Sequence, residues 1–205
     1  MQRKAPETPR PMPVGIDLSA YRIADPEEFN GNMLRLMEEG GKVLTGFLER
    51  GNGKTGPYSA ASEVTEAARL FTEVAQSWMG NPAKLVETHG ALMRDLMQLA
   101  GATSQRMLGA QVPPVAEPET GDNRFKDPDW ERNPYFDYWK QLYLIVTRWL
   151  DEVLQKTDGL DDRTRQKAEF YLKQLTSALS PSNFPFTNPE VLRETFASSG
   201  KNLVQ

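Results

Sequence analysis

An all-α fold, irregular in its helix lengths and preceded by a disordered tail, is what this 205-residue sequence predicts. Apolar residues recur at three- and four-residue spacing in every periodic segment, and no segment alternates as a strand. Helix-start pairs recur along the chain: Asp25-Pro26, Asn81-Pro82, Asn133-Pro134 and Asn188-Pro189. In each pair the first side chain can cap and the proline suits the first helical position. Proline-rich stretches break the chain between these segments.

Residues 1–24 hold four prolines by Pro13 and no periodicity, and read as a disordered tail. Residues 25–110 read as a variable helical region. Its first helix follows Asp25, with Glu27 and Glu28 favouring the N-terminal dipole and Met33, Leu34, Met37, Leu44, Phe47 and Leu48 as its stripe. Gly40-Gly41 is expected to weaken its middle. "GNGKTGPYS" reads as a linker. The second helix should turn Val64, Ala67, Ala68, Phe71, Val74, Ala75 and Trp78 inward. Leu85, Leu92, Leu96 and Leu99 form the stripe of a third. Residues 111–123 are a polar, proline-rich connector, and 124–205 a second helical domain.

The helix after Asn133-Pro134 is apolar over an unusually wide arc. Phe136, Trp139, Tyr143, Val146, Leu150 and Val153 follow one face; Tyr135, Tyr138, Leu142, Ile145 and Trp149 follow its neighbour. Such a helix must be covered on more than one side. One face is expected to pack on the helix capped by Asp161 or Asp162, whose buried set is Ala168, Tyr171, Leu172, Leu175 and Leu179. The other is expected to stay open or to self-associate. A last helix after Asn188-Pro189 should bury Val191, Leu192, Thr195 and Phe196.

Composition excludes several functions. The chain has no cysteine, which removes disulfides, thiolate metal sites and a cysteine nucleophile. The net charge of -4 gives no reason to expect nucleic acid. The first residues are not a secretory signal, and no apolar run approaches the roughly 18 residues of a membrane span. The reading is of a soluble, cytoplasmic chain. "GNGKTG" lacks the first glycine and leading strand of a phosphate loop. His89 is a lone histidine without a nucleophile or co-ligands. Asp161-Asp162 and Asp127/Asp129 read as caps. No catalytic, cofactor-binding or metal-binding residue is assigned.

Two stretches carry a resemblance. Arg124-Phe125 with Trp130 downstream and the aromatic helix after Asn133-Pro134 form the first. Pro181-Ser182-Asn183-Phe184 followed by Thr187-Asn188-Pro189-Glu190 forms the second. Over about residues 121–205 the chain resembles the N-terminal region of class I polyhydroxyalkanoate synthases, acyltransferases that polymerise 3-hydroxyacyl groups from coenzyme A into polyester. In that family an α/β-hydrolase-like domain with a Cys/Asp/His set follows. The sequence stops before it, so no catalytic α/β-hydrolase domain is expected here and the chain should be inactive alone. The resemblance implies three roles: dimerisation, granule attachment and docking to the catalytic domain. It implies as partners that domain, a second copy, and the granule surface or phasin-type proteins. The alternative is a stand-alone, phasin-like granule-surface protein. The expected interface residues are Trp130, Tyr138, Leu142, Ile145, Trp149, Phe184 and Phe186.

Overall fold

The caps expected from sequence set the helix starts in the computed structural model, which describes residues 19–51 and 60–204. Asp25 Oδ1 accepts from the amides of Glu27 and Glu28, and α1 runs Pro26–Gly51. It is unbroken at Gly40-Gly41, so the two glycines do not interrupt it. α2 (Ala60–Met79) and α3 (Pro82–Met107) join at Asn81, whose side chain accepts from the Lys84 amide. A single turn, α4 (Asp129–Arg132), carries Trp130. Asn133 Oδ1 accepts from the Tyr135 amide at 3.0 Å to start α5 (Pro134–Gln155). Asp161 caps α6 (Asp162–Ala178) through the amides of Arg163 and Thr164, and Asn188 caps α7 (Pro189–Ala197). No strand occurs among the described residues.

α5 is the central element because it is covered from both sides. On one side α3 supplies Leu92 and Leu99, which pack with Ile145, Leu144, Phe136, Trp130 and Phe125. On the other, α2 and α6 supply Leu70, Val74, Trp78, Ala168 and Leu172 around Leu154. Burying side chains of this size is worth about 1.5–3 kcal/mol each. Neither expected face of α5 is therefore left wholly open: Ile145 is buried against α3, and only a strip lined by Trp139, Leu142 and Val146 stays uncovered. α3 takes the side that α6 leaves.

The stripes needed other corrections. In α2, Val64 is 69% exposed and Leu70 fully buried, so the inward face is rotated from the one expected. Ala67 is half-buried, while Ala68 and Ala75 face solvent. In α1, Met33 is half-buried, whereas Leu34 and Met37 are exposed; the side chains of Leu44, Phe47 and Leu48 lie outside the described residues. In α6, Leu175 and Leu179 are 45% and 57% exposed. The stripe of α3 and the inward set of α7 lie where expected.

Residues 111–123, the proline-rich connector, are hydrogen-bonded to both α3 and α5. The buried Gln141 side chain accepts the amides of Val115 (2.6 Å) and Ala116 (3.1 Å). Its Nε2 donates to Asp137 at 2.6 Å. Asp137 also pairs with Arg106 of α3 and, at 3.2 Å, with Lys140. The Arg106 guanidinium in turn donates twice to the Val112 carbonyl. α3, the connector and α5 are thus tied by one polar network.

Residues 19–24 belonged to the expected tail but are held in place. Ser19–Tyr21 forms a short 3-10 turn, and the Tyr21 ring packs 5.6 Å from Phe136. Tyr21 donates to Asp129, and Arg193 of α7 reaches Asp129 (2.7 Å) and Asp127. The Ala24 amide donates to the Phe196 carbonyl at 3.0 Å, and the Asp25 amide to Ser199 Oγ at 2.9 Å. The rest of the expected tail, residues 1–18, and most of the "GNGKTGPYS" linker lie outside the described residues.

Candidate functional site

The stretch Ser180–Asn188 is rigid because its polar side chains staple its own backbone. Proline at 181 favours the 3-10 turn Pro181–Asn183. Asn183 Nδ2 donates to the Ser177 carbonyl at 2.8 Å, adding a bond to the end of α6. Asn188 Nδ2 donates to the Ser182 carbonyl and Thr187 Oγ1 to the Pro181 carbonyl, each at 2.7 Å. From α5, Tyr135 Oη donates to the Phe186 carbonyl at 3.1 Å. Ser180, Pro181 and Pro189 are buried. Asn183, Thr187 and Asn188 thus fix the backbone, the Ser180 and Ser182 hydroxyls bond each other at 2.8 Å, and Phe184 and Phe186 are left 45% and 50% exposed.

Phe184 closes one end of an apolar groove of about 350 Å³. α5 contributes Trp139, Leu142, Tyr143, Val146, Thr147 and Leu150; α6 contributes Thr176, and Leu179 follows at its C-cap; the loop adds Pro181, Phe184 and Thr187. The three threonine hydroxyls are engaged with backbone carbonyls of Tyr143, Leu172 and Pro181. Tyr143 Oη donates to the Thr176 carbonyl and receives from Arg124 at 2.6 Å. The groove therefore offers shape and apolar area, with no free nucleophile, acid or base. It suits an apolar occupant and not the polarisation of a bond.

The expected interface residues divide. Leu142 and Phe184 line the groove, and Phe186 is exposed on the same loop. Trp130 and Ile145 are 1% and 5% exposed and belong to the core. Tyr138 and Trp149 are half-buried against that core. Trp139, Tyr143, Val146, Leu150 and Leu179 also line the groove and were not among the expected interface residues. Trp139 is 36% exposed and Val146 half-buried, where α5, α6 and the loop leave a strip between them.

The other residues singled out carry no chemistry. His89 is exposed, its ring edge-on to Trp149 at 5.2 Å. Asp161 is a cap. Asp127 accepts from the Asp129 amide, as a capping residue would, but it also grips Arg193. Burial pushes the Asp127 carboxyl up, yet the Arg193 guanidinium and the Asp129 amide together hold it below the usual carboxylate range. Among the described residues no helix is long and apolar enough to cross a membrane.

The family described as "Poly-beta-hydroxybutyrate polymerase (PhaC) N-terminus" matches residues 121–205, which include the whole groove and its loop. A poly(3-hydroxyalkanoate) polymerase subunit of Rhizobium etli is 38% identical over 199 residues, covering 92% of this chain and 30% of that protein. The poly(3-hydroxyalkanoate) polymerase of Methylorubrum extorquens is 46% identical over 145 residues, covering 71% of this chain and 24% of that protein. The subunit from Cupriavidus necator is 31% identical over 122 residues, 60% of this chain and 20% of that protein. The chain thus spans about a third or less of these relatives. No solved structure matches it significantly.

Proposed function

Because residues 121–205 of this chain belong to the N-terminal family of the poly-beta-hydroxybutyrate polymerases, we propose that the chain is the non-catalytic N-terminal region of a polyester-forming acyltransferase. Its role in this reading is to dock the catalytic part of that polymerase. The observation that carries it is the groove beside Phe184. A loop stapled by its own asparagines holds two phenylalanines out to solvent, next to a trough lined by apolar groups. Preorganised aromatic anchors of this kind lose little entropy on binding. The length of the relatives beyond the matched segment supplies an occupant. The resemblance also implies dimerisation and granule attachment; the groove is assigned to neither. A stand-alone phasin-like protein is the weaker reading, since the matching relatives are named polymerases.

A chimera tests the docking. The matching region of the Methylorubrum extorquens polymerase is replaced by this chain, with a photo-crosslinking phenylalanine analogue at position 184. Crosslinks from position 184 into the polymerase remainder are expected, and Leu179→Asp should reduce them. Crosslinks confined to residues 1–205 in a folded chimera would overturn the docking reading.

A further inference from the structure

A second cavity, of about 670 Å³, lies where the C-terminal end of α3, the proline-rich connector and the first turns of α5 meet. Ala110, Val112, Pro113, Pro114 and Pro118 give it an apolar wall, and the three prolines offer no amide donor. Its lining also holds Arg106, Asp137 and Lys140, whose side chains are 12%, 2% and 6% exposed. Two cations thus share one carboxylate. The Arg106 guanidinium is committed to Asp137 and to the Val112 carbonyl. The Lys140 ammonium has three donors, and among the described residues it meets only Asp137, at 3.2 Å. One long contact offsets little of the cost of taking an ammonium out of water. Glu117 and Glu131 line the cavity as well, both exposed, and neither pairs with Arg106 or Lys140.

We propose that this cavity binds a small organic monocarboxylate, with Lys140 holding the carboxylate and the proline wall covering the apolar part. One negative charge balances the single excess positive charge of Arg106, Lys140 and Asp137. Its oxygens accept the ammonium donors that Asp137 leaves, in charge-assisted hydrogen bonds. Glu117 and Glu131 disfavour a guest of higher negative charge by repulsion. An inorganic anion would also gain nothing from the apolar wall. The volume lies within the range of small-molecule sites, about 300–1,000 Å³. The cavity shares no lining residue with the apolar groove, so it stands apart from the docking reading.

Calorimetric titration of the 205-residue chain with hexanoate at neutral pH tests it, with helicity checked in each variant. Hexanoate should bind saturably. Hexanamide, its neutral counterpart, should bind at least about 10-fold more weakly, and inorganic phosphate should also bind more weakly. Lys140→Met keeps the buried stem and leaves Asp137 paired with Arg106. It should raise the dissociation constant for hexanoate at least about 10-fold. Glu131→Gln, an exposed change that removes a like charge from the cavity lining, should lower that constant about 2-fold. It decides the matter if Lys140→Met does not fold. Four results would each overturn the proposal: no saturable hexanoate binding, hexanamide or phosphate bound as tightly as hexanoate, a folded Lys140→Met chain of unchanged affinity, or Glu131→Gln binding no tighter than wild type.

Discussion

Replacing Gln141 by Met keeps most of the side-chain volume and removes its polar atoms. Gln141 is fully buried, and its Oε1 is the acceptor for two amides, Val115 at 2.6 Å and Ala116 at 3.1 Å. A buried donor left without a partner costs about 1–3 kcal/mol; Ala116 is buried and Val115 half-buried, so the second amide costs less and the two together about 2–4 kcal/mol. The lost bond to Asp137 adds less, since that carboxylate keeps Arg106 and Lys140. Against a total stability of about 5–15 kcal/mol, this is a large fraction. Urea unfolding followed by circular dichroism should show a midpoint lowered accordingly, with one transition and an unchanged slope. The network joins α3 to α5, so both halves should melt together. A loss below about 1 kcal/mol, or two separate transitions of which one is unmoved, would refute the reasoning.

Ile145→Ala should cost about 2–5 kcal/mol without changing association, because Ile145 lies in the core; the same urea titration together with sedimentation checks both. Phe184→Ser should cost the isolated chain less than about 1 kcal/mol by the same titration, since the side chain is 45% exposed. Acid should loosen the segment 19–25. The folded-state pKa of Asp127 is lowered, so its pairing with Arg193 contributes above the ordinary carboxylate pKa of about 3.9 and is lost as pH falls through the folded value. Protection of the Ala24 and Asp25 amides against hydrogen exchange should therefore drop below about pH 4, before that of the α5 amides. The 205-residue chain alone should release no coenzyme A from 3-hydroxybutyryl-coenzyme A above a protein-free control, as it contains no cysteine nucleophile.

Local chemistry was written plainly in the sequence. Asp25, Asn81, Asn133, Asp161 and Asn188 cap the helices expected of them, because a cap is decided by residues two or three positions away. The existence and type of the helices, the over-apolar arc of α5 and the family motifs at 181–190 were legible for the same reason. What neighbours what was not. Which helix covers Ile145, and why Trp139 and Val146 stay partly open, depends on how α3, α6 and the loop pack on α5, and no local spacing encodes that packing. Asp137, Lys140 and Gln141 are polar residues at helical spacing inside an apolar helix, a signal that names no partner. Their partners, Arg106 and the amides of Val115 and Ala116, are 25 or more residues away in sequence. Tyr21 and Arg193 meet Asp129 across still longer separations. The groove exists only because tertiary packing brings α5, α6 and the proline loop together and leaves a strip between them that no side chain in the described structure fills.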